Sequence, residues 1–264
     1  MPFAQLPDVK LYYEWAGSER LPVVVFSNGL GTNLHMWDHQ VDAFAQHFRL
    51  LRCDTRGHGK SEVTPGPYTI ELLAHDVIHL LDALNVKRAH FCGLSMGGMI
   101  GMFLGANFPQ RLRKVALCNT APKFDPEHMW NRRIDTVKTG GMKAVAGGVI
   151  ERWLTPQFRA SHPQDAQAVL TMLESSNPEG YIACCAAVRD MDQRGILKDI
   201  RVPALVVAGT YDPAAPPEAA RLLASSIPGA EYAELTASHL SNIESSEDFN
   251  RNIVQFLLTQ RSAQ

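Results

Sequence analysis

Apolar positions along the chain follow two alternating rhythms. Short runs with a strand-like pattern occur at Pro22–Ser27, Arg49–Cys53, Arg88–Gly93, Lys114–Asn119, Pro203–Ala208 and Ala230–Leu235, with an earlier one at Val9–Trp15. Pro22–Ser27 is continuous, as expected of a strand covered on both faces. Between these runs lie stretches with a period of three to four. In Thr69–Leu84 the residues Leu73, Val77, Leu80, Leu81 and Leu84 share one face, and near the end Phe249, Ile253, Phe256 and Leu257 do the same. These stripes predict core-facing helices. Strand and helix in alternation argue for an α/β fold with a mostly parallel central sheet flanked by helices. The alternation stops between 123 and 193, where the pattern is helical throughout and carries Met129, Trp130, Met142, Trp153, Met172 and several arginines. The expected organisation is a core of residues 1–122 and 194–264 with an inserted helical lid, 123–193. Such a lid would cover the carboxyl ends of the strands, where α/β sheets bind ligands.

Composition narrows the function without choosing it. The 264 residues are 45% hydrophobic and 20% charged, with a formal net charge of -2. That balance offers no basic excess for nucleic acid. No run is long enough to cross a bilayer. The start, Met1-Pro2-Phe3-Ala4-Gln5-Leu6-Pro7, lacks the pattern of a secretory signal. The five cysteines (Cys53, Cys92, Cys118, Cys184, Cys185) are odd in number and irregularly spaced. They fit neither a disulfide framework nor a metal site and read as free thiols. A cytoplasmic location is expected. Oligomeric state leaves no signature in the sequence.

The sharpest chemical signal is Gly93-Leu94-Ser95-Met96-Gly97, set between the strand ending near Gly93 and a helix through Met99, Ile100 and Leu104. A serine on a tight strand-to-helix turn has no room for side chains two residues either way, so glycine is needed at both places. The plain alternative is a glycine-rich packing turn. A serine needs a base. Of ten histidines, His239 follows the last strand in Thr236-Ala237-Ser238-His239-Leu240-Ser241, at the same sheet edge as Ser95. Asp212 follows the strand before it and lies between serine and histidine in chain order, as an orienting acid should. Asp54, in Asp54-Thr55-Arg56-Gly57-His58-Gly59, precedes the serine, and that loop reads as structural. Oxyanion donors are expected from the backbone N–H of Met96 and of Leu30, the latter in Ser27-Asn28-Gly29-Leu30-Gly31-Thr32. Together these features predict a serine hydrolase of the α/β-hydrolase fold. No metal-ligand spacing or phosphate loop is present, and no cofactor is expected.

The chain also resembles the 3-oxoadipate enol-lactonases, over nearly its full length. The residues that carry the likeness are the oxyanion-loop hexapeptide with Met36-Trp37-Asp38, the Asp54–Gly59 loop, Gly66-Pro67-Tyr68-Thr69 and His90–Gly101. In the lid they are Arg152-Trp153-Leu154-Thr155-Pro156, Asn177-Pro178-Glu179-Gly180-Tyr181 and Cys184-Cys185-Ala186-Ala187, followed by Ala237–Asn242. The lid segments are the more selective part. One departure is Asn28-Gly29, where many hydrolases of this fold carry His-Gly. The resemblance implies hydrolysis of a small anionic lactone, 3-oxoadipate enol-lactone, in bacterial aromatic degradation. It places nucleophile, acid and base at Ser95, Asp212 and His239. The lactone's acetate arm calls for a cation, and guanidinium suits a carboxylate. Arg133 beside Trp130 and Arg152 beside Trp153 are the candidates, each with the plainer reading of a solvated helix charge. A general carboxylesterase, a carbon–carbon bond hydrolase or a non-catalytic ligand receptor on the same fold are the alternatives.

Overall fold

Eight strands form one sheet in the order β1-β2-β4-β3-β5-β6-β7-β8. In this computed structural model, residues 3–124 and 127–259 are described. Met1, Pro2 and the 125–126 pair at the start of the expected lid lie outside them. The strands are β1 (Phe3–Gln5), β2 (Lys10–Ala16), β3 (Val23–Ser27), β4 (Arg49–Cys53), β5 (Ala89–Leu94), β6 (Leu112–Cys118), β7 (Ala204–Gly209) and β8 (Glu231–Leu235). β1 pairs antiparallel with β2, and β2 with β4; the rest of the sheet is parallel. Val25 of β3 sits between Leu51 of β4 and Phe91 of β5, and all three are buried. This double burial explains why β3 reads as an unbroken apolar run.

The helices of the core are α1 (Val41–Ala45), α2 (Ile70–Ala83), α3 (Met96–Asn107), α9 (Pro217–Ser226), α10 (Ser241–Glu244) and α11 (Ser246–Leu258). α2 starts where Thr69, in extended conformation, accepts a hydrogen bond from the Leu72 N–H, a side-chain N-cap. Its stripe Leu73, Val77, Leu80 and Leu81 is buried, as are Phe249, Ile253, Phe256 and Leu257 of α11. Between β6 and β7 come five helices: α4 (Glu127–Gly140), α5 (Lys143–Trp153), α6 (Pro156–Ser161), α7 (Pro163–Glu174) and α8 (Pro178–Asp190). α6 and α8 open with proline behind a capping Thr155 or Asn177, a pattern that ends one helix and pre-sets the next.

The expected strands fall within two residues of the observed ones. The exception is β1, three residues with only Ala4 buried, too short to leave a periodic signal. All five cysteines are buried and free. Among the described residues no helix is long and apolar enough to cross a membrane.

Candidate active site

Ser95 stands between β5 and α3 with φ 56° and ψ -116°, a left-handed conformation that costs a non-glycine residue about 1–3 kcal/mol. The surroundings hold it there. Its N–H donates to the Cys118 carbonyl at 2.9 Å, and its carbonyl accepts from Thr120 Oγ1 at 2.8 Å. A Cβ on Gly93 would lie 2.1 Å from the Gly97 carbonyl oxygen, and one on Gly97 would lie 2.1 Å from that of Ser27. The glycine spacing is therefore a steric requirement of the turn. Ser95 itself is half-buried and faces a cavity.

His239 and Asp212 come together from the loops after β8 and β7. The imidazole Nδ1 lies 2.8 Å from Asp212 Oδ2, with both side chains buried. The carboxylate also accepts from the Ala214 N–H at 2.8 Å, the Ala215 N–H at 2.9 Å and Asn119 Nδ2 at 3.1 Å. Such donors fix the plane of the carboxylate. On its other side His239 faces the Trp153 ring, with centroids 6.3 Å apart and planes 29° apart.

The competing acid is fully occupied elsewhere. Asp54 accepts from the Leu34 N–H and the Lys60 N–H, each at 2.8 Å, and burial pushes its pKa up. Arg56 forks onto Asp76 at 2.8 and 2.6 Å and reaches Asp8 at 2.9 Å. That loop ties elements together, as its sequence suggests.

Several hydrogen bonds brace the segment 27–32. Asn28 donates to the Cys53 carbonyl at 2.8 Å and accepts from Trp37 Nε1 at 2.9 Å, so the residue that departs from His-Gly anchors the loop to β4. The Gly29 carbonyl accepts from Thr32 N–H at 3.2 Å and Thr32 Oγ1 at 2.7 Å. The Gly31 N–H donates to His58 Nε2 at 2.9 Å, and the Gly31 carbonyl accepts from Ser176 Oγ at 3.1 Å.

A cavity of about 550 Å³ opens above this edge of the sheet, lined by Leu30, Ser95 and His239 below and by Trp130, Arg133, Arg152 and Trp153 of α4 and α5 above. Seven of the nine expected site positions, Ser95 among them, thus meet at one cavity. Asp212 stands behind His239, and Met96 is buried at the first turn of α3. The Arg133 guanidinium lies 4.8 Å from the Trp130 ring centroid, a cation–π contact. Among the described residues no carboxylate is within ion-pair distance of Arg133 or Arg152. Both are half-buried. Burial, and then the charge of Arg133, lower the pKa of Arg152. Two like charges share a partly desolvated space, which is electrostatically unfavourable.

Several residues that shape the site carry no sequence signal of their own. Asn119, buried after β6 with φ 47°, bridges Asp212 and the Ser238 carbonyl and accepts from Ser241 Oγ. Glu244 accepts from the Ser238 N–H at 3.0 Å and from Thr155, joining the histidine loop to the lid. Beside it, Ser238 Oγ donates to the Arg152 carbonyl at 2.8 Å and the Leu240 N–H to the Trp153 carbonyl at 3.0 Å. Asn119 could have been suspected from its place at a strand's carboxyl end; the Glu244 contacts could not.

Residues 22–158 match the family model described as alpha/beta hydrolase fold. The chain is 39% identical to 3-oxoadipate enol-lactonase 2 of Acinetobacter baylyi, over 93% of this chain and 92% of that one. It is 36% identical to 3-oxoadipate enol-lactonase 1 of the same organism, over 88% and 87%. Among solved structures, the enol-lactonase from Burkholderia xenovorans LB400 superposes with a TM-score of 0.96 at 44% identity, covering 98% of this chain and 100% of that one.

Proposed function

Because the chain belongs to the alpha/beta hydrolase family, and within it to the 3-oxoadipate enol-lactonases, we propose that it hydrolyses 3-oxoadipate enol-lactone to 3-oxoadipate through an acyl-enzyme on Ser95. Ser95 Oγ attacks the lactone carbonyl as His239 takes its proton. Asp212 holds the imidazole tautomer and stabilises the imidazolium. The N–H groups of Leu30 and Met96 receive the developing oxyanion. Collapse breaks the ring C–O bond and expels an enolate, which takes the proton from His239 and tautomerises to the ketone. Water, deprotonated by His239, then attacks the acyl carbonyl and releases the second carboxylate and free Ser95. The chemistry needs no cofactor. In a bacterium this step belongs to aromatic degradation.

The observation that carries this reading is the pair of guanidinium groups, Arg133 and Arg152, that have no carboxylate partner among the described residues and face the same cavity as Ser95 and His239. A general carboxylesterase acting on neutral esters gains nothing from two uncompensated cations. An acetate arm does, through charge-assisted hydrogen bonds that orient the lactone carbonyl toward the serine.

The test has two parts. A serine-directed phosphonate followed by peptide mass spectrometry should give one adduct, on Ser95, and Ser95→Ala should abolish turnover. The intact protein should then prefer the enol-lactone to a neutral aryl ester of similar size. Labelling at another residue sinks the serine mechanism; equal efficiency on both substrates sinks the lactone assignment.

A further inference from the structure

Two peptide planes flank the Cα of Leu30, and each is pinned by a different neighbour. In a trans peptide the C=O and N–H point in opposite directions. The Gly29 carbonyl is drawn toward Thr32 by two hydrogen bonds, so the Leu30 N–H in the same plane is turned the other way. The next plane, Leu30–Gly31, is held by its N–H, which donates to His58 Nε2 at 2.9 Å. Gly31 has φ +77°, and a Cβ there would strike Leu173 and Tyr181 at 2.6 and 2.9 Å. Only glycine fits this turn, and glycine by itself does not define one conformation.

His58 comes from a separate loop, the one after β4, and is buried. Since its Nε2 accepts from a backbone N–H, that nitrogen carries no proton. The ring proton is then on Nδ1, which faces the Arg56 carbonyl at 3.3 Å. From the lid, α8 places the Cys184 thiol 3.9 Å from Nδ1. That thiol is itself held neutral by burial. Among the described residues no ion pair reaches the ring, and burial pushes its pKa down to about 4. The imidazole stays neutral and keeps its acceptor aimed at Gly31.

We infer that His58 is a positioning residue of the oxyanion loop, whose neutral Nε2 fixes the Leu30–Gly31 peptide and so keeps the Leu30 N–H directed into the cavity. It does not touch the substrate. The inference rests on the reading of Leu30 as an oxyanion donor.

Glutamine and asparagine at this position separate the role from mere filling of space. The carbonyl oxygen of glutamine reaches as far as Nε2; that of asparagine stops one bond short. On a neutral aryl ester, His58→Asn should lower kcat by about tenfold or more with KM little changed, a fraction of what losing a whole oxyanion donor costs. His58→Gln should recover most of that loss. The rate of Ser95 phosphonylation should follow kcat, since phosphonylation also builds charge on an oxygen at that place. Equal loss of kcat in both variants, no loss in His58→Asn, or a rise in KM alone overturns the inference. If neither variant folds, nitrogen NMR of labelled wild-type protein decides. The expected result at pH 7 is a neutral His58 protonated on Nδ1, and a ring protonated on Nε2 or on both nitrogens refutes it. Absence of any Ser95 adduct in the wild type would instead defeat the serine mechanism, and the tautomer measurement would stand apart from that outcome.

Discussion

Replacing Arg152 by methionine asks what an uncompensated cation contributes to a serine hydrolase. Methionine keeps the length of the apolar stem and removes only the charged head. Arg152 is half-buried, faces the cavity above Ser95, and has no carboxylate partner among the described residues. A carboxylate about 4 Å from a guanidinium gains roughly 4 kcal/mol at an effective dielectric of about 20. The cavity is open to water on one side, so part of that is screened. Hydrogen bonds to charged groups measured by mutation are worth about 1.5–3 kcal/mol, and this range is the better guide here. It corresponds to a fall of about 10- to 150-fold in kcat/KM for the enol-lactone. A neutral aryl ester has no charge to lose and should change less than about threefold. The same substitution removes one of two neighbouring like charges, so the ligand-free protein should melt higher than wild type. Lactone and ester kinetics, with thermal melts of the free protein, check both effects. Parallel losses on the two substrates, or a lower melting temperature without selective loss of lactone activity, would refute the argument. Arg133→Met serves as the comparison; it also forfeits the contact with Trp130, worth about 0.5–1 kcal/mol.

Asp212→Asn should cut kcat by about 10⁴-fold with the fold intact, because the amide favours the wrong imidazole tautomer, whereas Asp54→Asn should act on stability, read as a lower melting temperature with kcat of the folded fraction near normal. Gly97→Ala puts a Cβ 2.1 Å from the Ser27 carbonyl oxygen and should destabilise by more than about 3 kcal/mol or abolish soluble expression, measured by urea unfolding. Burial holds His58 and His90 neutral, with pKa values lowered from 6.5 to about 4, His90 also through nearby Arg113, Lys114 and Arg88. Below 6.5 the unfolded chain takes up protons that the folded state refuses, so these two histidines make stability fall as pH drops from 6.5 toward 4. Melting temperature against pH should therefore be flatter over that window in His58→Gln than in wild type.

How much of this was legible in the sequence depended on the range of the interaction. Central strands and the faces of α2 and α11 were readable because double burial and helical period leave local patterns. The elbow was readable because steric exclusion at Gly93 and Gly97 acts within five residues. Chain order after successive strands brought Asp212 and His239 into view, and the structure places them 2.8 Å apart. What stayed hidden is contact between distant segments. Nothing around Glu244 announces that it reaches Thr155, and nothing around His58 announces Gly31. The lid arginines could be named but not ranked, because which side of α4 and α5 faces inward is decided by packing. Both prove to face the cavity, and the choice between them passes to measurement.

The order of the strands has a consequence for how activity is acquired during folding. β7 pairs with β6, yet residues 119–203, including all five lid helices, separate them in the chain. β8 joins only on the far side of β7. The serine turn is built from β5, β6 and the start of α3, so it can form early, whereas Asp212 and His239 arrive on the two strands that enter last in sequence and depend on that long closure. Contacts of such separation are slow to form. In refolding from denaturant, backbone structure and burial of the central strands should therefore return before turnover does. Catalysis becomes a clock for the final pairing of the sheet, and a partly folded chain carries its serine without a base.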